Sequence, residues 1–314
     1  MSDRTTKVGV IGAGNVGAAV ANALVLLDKC ETVVLYARTL SQAEGEGWDI
    51  EDAIGLLSSM NVIPTDQYED LADCDVIVIT AGATQKEGET RLDLLGKNAE
   101  IIRSIIKELD RVAPNAILIV VSNPVDVLTR IAIAASQRSE NLILGSGTVL
   151  DTARLKYQLG KTLNVDNRDI HVYVVGEHGD SEFTIWSNAF IGAIPLADFP
   201  LPQGTNIAQI KQDYTELTRK RGYAIAERKG NTNYAIATVV ALLVDSILRD
   251  EKKIFTVSVK ADSGYNIGNE VVLGLPCIIG EAGIERKLLI PRNDEEQHLL
   301  EESAAKLNQA YDSL

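Results

Sequence analysis

The chain has 314 residues, 46% hydrophobic, 24% charged and 5% aromatic, an ordinary globular composition with length for two domains sharing a well-buried interior. Its 30 basic residues against 44 acidic ones give a net charge of −14, which argues against nucleic acid or an anionic membrane as the main partner, although a local arginine pocket can still take an anion. Apolar runs such as VIVIT and AILIVV fall far short of the roughly 18 residues of a membrane span, and the opening MSDRTTKVGVIGAGN lacks the layout of a secretory signal.

From Lys7 to about Gly145 short apolar strands alternate with helical patterns. Strands are expected at 7–12, 32–36, 75–80 and 116–122, and helices at 16–27, 40–57 and 97–111. The strands are nearly continuous in β-branched residues and leucine, as strands covered on both faces should be. The alternation predicts an α/β fold whose N-terminal domain, residues 1–145, is a Rossmann-type doubly wound parallel sheet with right-handed crossovers. The second half, residues 146–314, reads as an α+β substrate domain. It has helices expected at 150–163, 207–228, 232–248 and 294–311, and strands at 169–175, 254–260, 271–279 and 286–290.

Cys30, Cys74 and Cys277 are odd in number, far apart and in apolar settings, so they read as buried free thiols of a cytoplasmic protein. There is no C-x-x-C, and the histidines are His171, His178 and His298; no protein-built metal site is expected. His298 falls in an acidic amphipathic helix and reads as solvated.

The first strand runs into Gly12-Ala13-Gly14-Asn15-Val16-Gly17. Gly12 permits the tight turn, Gly14 lets a pyrophosphate approach the backbone, and Gly17 lets the helix pack on the strand. The helix N-terminus then offers unpaired N–H groups to phosphate. An NAD site usually carries Asp or Glu at the end of the second strand to hold the ribose hydroxyls. Here the sequence reads Leu35-Tyr36-Ala37-Arg38-Thr39. The acid is missing at Ala37, and Arg38 could pair with a 2′-phosphate, which points to acceptance of NADP(H). The alternative is an exposed arginine without cofactor contact. Thr80, Ala81 and Gly82, at the end of the third strand and just beyond it, complete the cofactor-binding set expected at this stage.

Four later segments concentrate polar residues: 81–93, 122–126, 147–154 and 176–181. With the glycine loop, the motifs GAGNVG, TAGATQKEGETRLDL, SNPVDVLT, GTVLDTARL, GEHGDSE and KGNTNYAIA stand in the order found in the lactate/malate dehydrogenase family, and the likeness spans essentially the whole chain. The chain resembles that family, and the segment around Gln85 resembles its L-lactate branch. The resemblance implies hydride transfer between NAD(H) and a small 2-keto or 2-hydroxy acid, pyruvate/L-lactate ahead of malate or a bulkier 2-hydroxycarboxylate. A non-catalytic cofactor-binding protein on the same scaffold is the alternative of another class.

Residue by residue, the resemblance makes His178 the acid/base, since imidazole titrates near neutrality. Asp151 would fix its tautomer and stabilise the imidazolium. Arg154 would grip the substrate carboxylate through a bidentate fork. Arg91 would polarise the carbonyl once the loop around 84–93 closes. Asn123 would bond near the carbonyl and the nicotinamide ribose, and Thr232 would line the pocket. Gln85 would face the group on the keto carbon; being neutral, it disfavours a second buried carboxylate such as that of oxaloacetate. Two positions depart from the family pattern: Glu87 where the lactate branch commonly has proline, and Asn231 in place of a frequent small residue. The resemblance further implies a homo-oligomer, a tetramer ahead of a dimer. Lys156 and His171 match positions that bind fructose 1,6-bisphosphate in many bacterial relatives, which leaves an effector site open.

Overall fold

The computed structural model describes residues 5–57, 60–83, 91–268 and 270–314. Six strands pair in parallel: β1 (Lys7–Ile11), β2 (Thr32–Tyr36), β3 (Asn61–Thr65), β4 (Val76–Ile79), β5 (Ile117–Val120) and β6 (Ile143–Gly145). Their spatial order is β3-β2-β1-β4-β5-β6. The order reverses between β1 and β4, where Val10 lies level with Leu35 on one side and Val78 on the other. Open sheets of this kind bind ligands beyond the strands' carboxyl ends at that reversal. Helices α1 (Asn15–Leu26), α2 (Leu40–Leu57), α3 (Arg91–Val112) and α4 (Val125–Ala135) form the crossovers.

After β6 come α5 (Val149–Leu163), the short strands β7 (Ile170–His171), β8 (Val174–Val175), β9 (Phe183–Thr184), β10 (Phe190–Ile191) and β11 (Ile194–Pro195), then α6 (Ile207–Lys229) and α7 (Tyr234–Leu248). β12 (Lys253–Lys260), β13 (Val272–Gly280), β14 (Gly283–Lys287) and α8 (Asp294–Asp312) close the chain. β12, β13 and β14 are antiparallel and extend the parallel sheet to nine strands, with Ser258 opposite Gly145 at the seam. The α/β class and the parallel sheet are as expected. The C-terminal half is joined to that sheet edge to edge rather than merely appended.

One apolar core runs under the whole sheet, from Val8 and Val33 to Leu273 and Leu300. A second, smaller core gathers Leu155, Leu159 and Leu163 of α5 with Ile170, Ile191 and Ile210. The four-residue spacing of the α5 leucines puts them on one row of the helix, and Asp151 continues that row into the first turn, with Arg154 beside it.

Several elements differ from expectation for identifiable reasons. β3 contains Pro64, which argues against a strand except at a sheet edge, and β3 is the edge. α3 starts at Arg91 rather than Lys97: the helix runs through Gly96, whose poor helix propensity hides the first turns in the sequence. α4 begins inside the SNPVDV motif, where no helix is expected from the sequence. The strand expected at 169–175 splits into β7 and β8, whose partners lie in different small sheets. The last strand is β14, ending at Lys287, rather than 286–290.

Candidate active site

Gly12 adopts φ +109°, and a Cβ there would lie 2.9 Å from the Ala81 nitrogen and from Thr80 Oγ1. A Cβ on Gly17 would lie 1.7 Å from the Gly12 carbonyl oxygen, so α1 can leave β1 at this angle only with glycine at 17. Thr80 Oγ1 donates to the Gly12 carbonyl at 3.0 Å and braces the turn from β4. At Gly14 the opposite holds: an added Cβ would meet nothing within 4 Å. That open space lies over the N-terminus of α1, which has no side-chain cap and no acidic residue in its first turn. Exposed N–H groups, a positive dipole end and free room suit a dinucleotide pyrophosphate. Val16, Asn15 and Gly82 stand around this opening, half-buried or exposed. Ala37 is buried at the end of β2 and Arg38 is exposed next to it.

Beyond β5 and β6, a cavity of about 670 Å³ is lined by Val16, Asn123, Asp151, Arg154, His178 and Thr232, among others. His178 Nδ1 lies 2.6 Å from Asp151 Oδ2, and Arg154 Nη1 donates to Asp151 Oδ1 at 2.7 Å. Asp151 is 1% exposed in the first turn of α5 and serves both cations. Burial opposes its ionisation, but His178 and Arg154 together hold its carboxyl below the usual carboxylate range. Burial likewise opposes charging the His178 ring; the Asp151 carboxylate outweighs it, and the pKa is pushed up to about 9. Arg154 also faces Gly222 of α6, where an added Cβ would lie 3.9 Å from both Nη atoms.

The structure therefore brings together His178, Asp151, Arg154, Asn123 and Thr232, with Val16 at their side. Gln85, with the rest of 84–90, lies outside the described residues, and so does the side chain of Arg91. Lys156 is half-buried on α5 and His171 exposed on the adjacent β7; neither lines the cavity.

Three residues to which sequence reasoning gave no role belong to the surroundings of the site. Asp126, 2% exposed, accepts from the His178 backbone N–H at 2.7 Å and from Ser258 Oγ at 2.6 Å. Burial pushes its carboxyl up to about 6, against the pull of those two donors. Asn98, 3% exposed, accepts from the Ala83 N–H at 2.7 Å and donates to the Asn123 carbonyl at 3.2 Å. Glu182, 3% exposed, lines the cavity beside His178. The available signals were faint: an amide on the apolar stripe of α3, and two carboxylates within motifs already quoted.

Residues 6–145 match the family model described as the lactate/malate dehydrogenase NAD binding domain, and residues 148–313 match the lactate/malate dehydrogenase alpha/beta C-terminal domain. An L-lactate dehydrogenase of Clostridium botulinum (strain Loch Maree / Type A3) is 42% identical over 96% of this chain and 95% of its own. L-lactate dehydrogenase 1 of Clostridium acetobutylicum is 39% identical over 99% of both chains. Among solved structures, a lactate dehydrogenase from a Medee basin deep-sea metagenome library superposes with a TM-score of 0.95 at 37% identity over 99% of both chains. The minor L-lactate dehydrogenase of Enterococcus mundtii does so with a TM-score of 0.94 at 30% identity, over 99% of this chain and 98% of its own. The chain belongs to the lactate/malate dehydrogenase family.

Proposed function

We propose that the protein interconverts pyruvate and L-lactate by reversible hydride transfer to and from a nicotinamide dinucleotide, with His178 as acid/base. The observation that carries this reading is the chain His178–Asp151–Arg154, in which one buried carboxylate orients a proton-bearing ring and an anion-binding guanidinium toward one cavity. Because Nδ1 is engaged by Asp151, Nε2 is the nitrogen that gives a proton to the keto oxygen in reduction and takes it back in oxidation. Asp151 keeps the ring oriented and stabilises its charged form. Arg154 binds the substrate carboxylate, Asn123 the region of its carbonyl, and Thr232 bounds the pocket. From the family pattern, Arg91 polarises the carbonyl and Gln85 faces the substituent.

A bound nicotinamide supplies the hydride in one direction and accepts it in the other. Gly12, Gly14, Asn15, Val16 and Gly17 would hold the dinucleotide's phosphates, with Ala37 and Arg38 at its ribose and Thr80, Ala81, Gly82 and Asn123 toward the nicotinamide. Ala37 offers no carboxylate to repel a 2′-phosphate and the exposed Arg38 can pair with one, which supports use of NADP(H) beside NAD(H). The division into domains falls at residue 145. Self-association, tetramer ahead of dimer, is part of this reading, as are the cytoplasm as its setting and a fructose 1,6-bisphosphate site at Lys156 and His171. Among the described residues no helix is long and apolar enough to cross a membrane.

Initial rates with pyruvate, oxaloacetate and 2-keto-4-methylpentanoate, each with NADH and with NADPH, test the reading. Pyruvate is expected to give the highest kcat/KM, with NADPH accepted. A preference for oxaloacetate or the branched acid would move the substrate assignment, and no turnover of any would overturn the activity.

A further inference from the structure

Glu182 ends the loop between β8 and β9, and its side chain is buried in the wall of the substrate cavity. Oε1 is buried and has no hydrogen-bond partner among the described residues. Oxygen or nitrogen atoms of Asp151, His178 and Glu182 lie within 4.8 Å of one another. The charged groups facing Glu182 are Asp151 and Arg154 from α5, His178 from its own loop and Arg219 from α6. Arg219 is committed elsewhere: its Nε and Nη2 donate to the Glu182 backbone carbonyl at 2.8 and 2.6 Å. Arg154 is bonded to Asp151.

We infer that Glu182 is a further residue of the substrate site, a carboxyl that must keep its proton for the carboxylate of a 2-keto or 2-hydroxy acid to settle on Arg154. This rests on the lactate dehydrogenase reading above. In the reducing complex the charges of Asp151 and the substrate carboxylate are balanced by His178 in its charged form and by Arg154. An ionised Glu182 adds one buried negative charge whose Oε1 meets no donor, because Arg219 turns its Nε and Nη2 to the backbone carbonyl and Arg154 is bonded to Asp151; a carboxylate oxygen left so is costly. Substrate binding and ionisation of Glu182 therefore oppose each other, and the coupling is reciprocal. Burial, reinforced by the Asp151 carboxylate, pushes the Glu182 carboxyl up to about 9, so it is neutral at neutral pH and ionises over the same range as His178.

The two groups separate by reaction direction. Reduction needs His178 protonated and Glu182 protonated, so kcat/KM for pyruvate falls at alkaline pH with the loss of two protons. Oxidation needs His178 neutral, so kcat/KM for L-lactate rises with pH until ionisation of Glu182 turns it down, and the turn-down lies in KM. The test is kcat/KM in both directions from pH 6 to 10.5 for the wild type and Glu182→Gln. Alongside it, calorimetry at pH 10 in two buffers measures proton uptake when oxamate, a non-reacting isostere of pyruvate, binds the complex with reduced cofactor. In Glu182→Gln the pyruvate limb should become a one-proton limb, the lactate profile should reach a plateau, and oxamate should draw fewer protons. If Glu182→Gln does not fold, the wild type alone decides through the alkaline turn-down in lactate KM and proton uptake by oxamate in excess of one. Turnover with the same limbs in both proteins, or with no alkaline turn-down in the wild type, would overturn the role of Glu182. Absence of wild-type turnover would overturn the functional reading and this inference with it.

Discussion

His178 lies under two opposed pressures, and the geometry settles which prevails. Its ring, 27% exposed, is partly withdrawn from water, which favours the neutral form; Asp151 Oδ2 at 2.6 Å favours the charged one and wins. With the pKa pushed up to about 9, the ring carries its proton at neutral pH. Keto acid reduction is then at full rate below that value and declines as pH rises through it, while oxidation gains over the same interval. Asp151→Asn removes the carboxylate and leaves the burial, so the sign is fixed: the alkaline limb of pyruvate reduction moves to lower pH, by about one to three units. A kcat profile against pH checks this, and a limb that stays in place would show that Asp151 does not govern the ring. Arg154 is subject to similar logic, since Asp151 already orders its guanidinium before substrate arrives. Arg154→Lys keeps the charge but loses the planar fork, and KM for pyruvate should rise about 10- to 100-fold.

Elements set where these side chains stand. The first turn of α4 carries Asp126, which fastens the backbone of the His178 loop to Ser258 of β12 at the seam between the parallel and antiparallel strands. Asp126→Ala leaves a buried N–H and a buried hydroxyl without their acceptor and should cost about 1.5–3 kcal/mol of stability. Asp126→Asn still accepts from the N–H and should recover most of kcat, whereas Asp126→Ala should not. Urea midpoints and kcat measured side by side decide it, and equal kcat in the two variants would deny Asp126 a positioning role. The elements legible in sequence were those with a strong repeating pattern: the β-branched runs of β1, β2, β4 and β5, and the long helices α6, α7 and α8. Those that escaped owe their form to neighbours. β3 tolerates Pro64 because it is an edge, β6 has three residues, and β9 to β11 are two-residue pairings created by tertiary contact. The site followed the same division. His178, Asp151 and Arg154 were legible through motif order, while Asn98, Asp126 and Glu182 acquire meaning only when separate elements meet, because burial and partner geometry are not written in local spacing.

At the scale of the molecule, the nine-stranded sheet places two different competences on either side of one cavity. The N-terminal half contributes the glycine turn and the open N-terminus of α1; the C-terminal half contributes the His178 ring and the Arg154 guanidinium, both held by Asp151. A net charge of −14 makes the cavity's cations a local exception to the average field, as a carboxylate substrate requires. Under the proposed function, binding of the dinucleotide and handling of the proton come from separate halves and should be separable by a single substitution. The most direct measurement compares NADH binding, by fluorescence titration, with pyruvate-dependent NADH oxidation at pH 7 in the wild type and His178→Asn. NADH binding within about twofold of wild type, with kcat lower by a factor of about 10² to 10⁴, is the predicted result. Retention of the wild-type kcat by His178→Asn would contradict it.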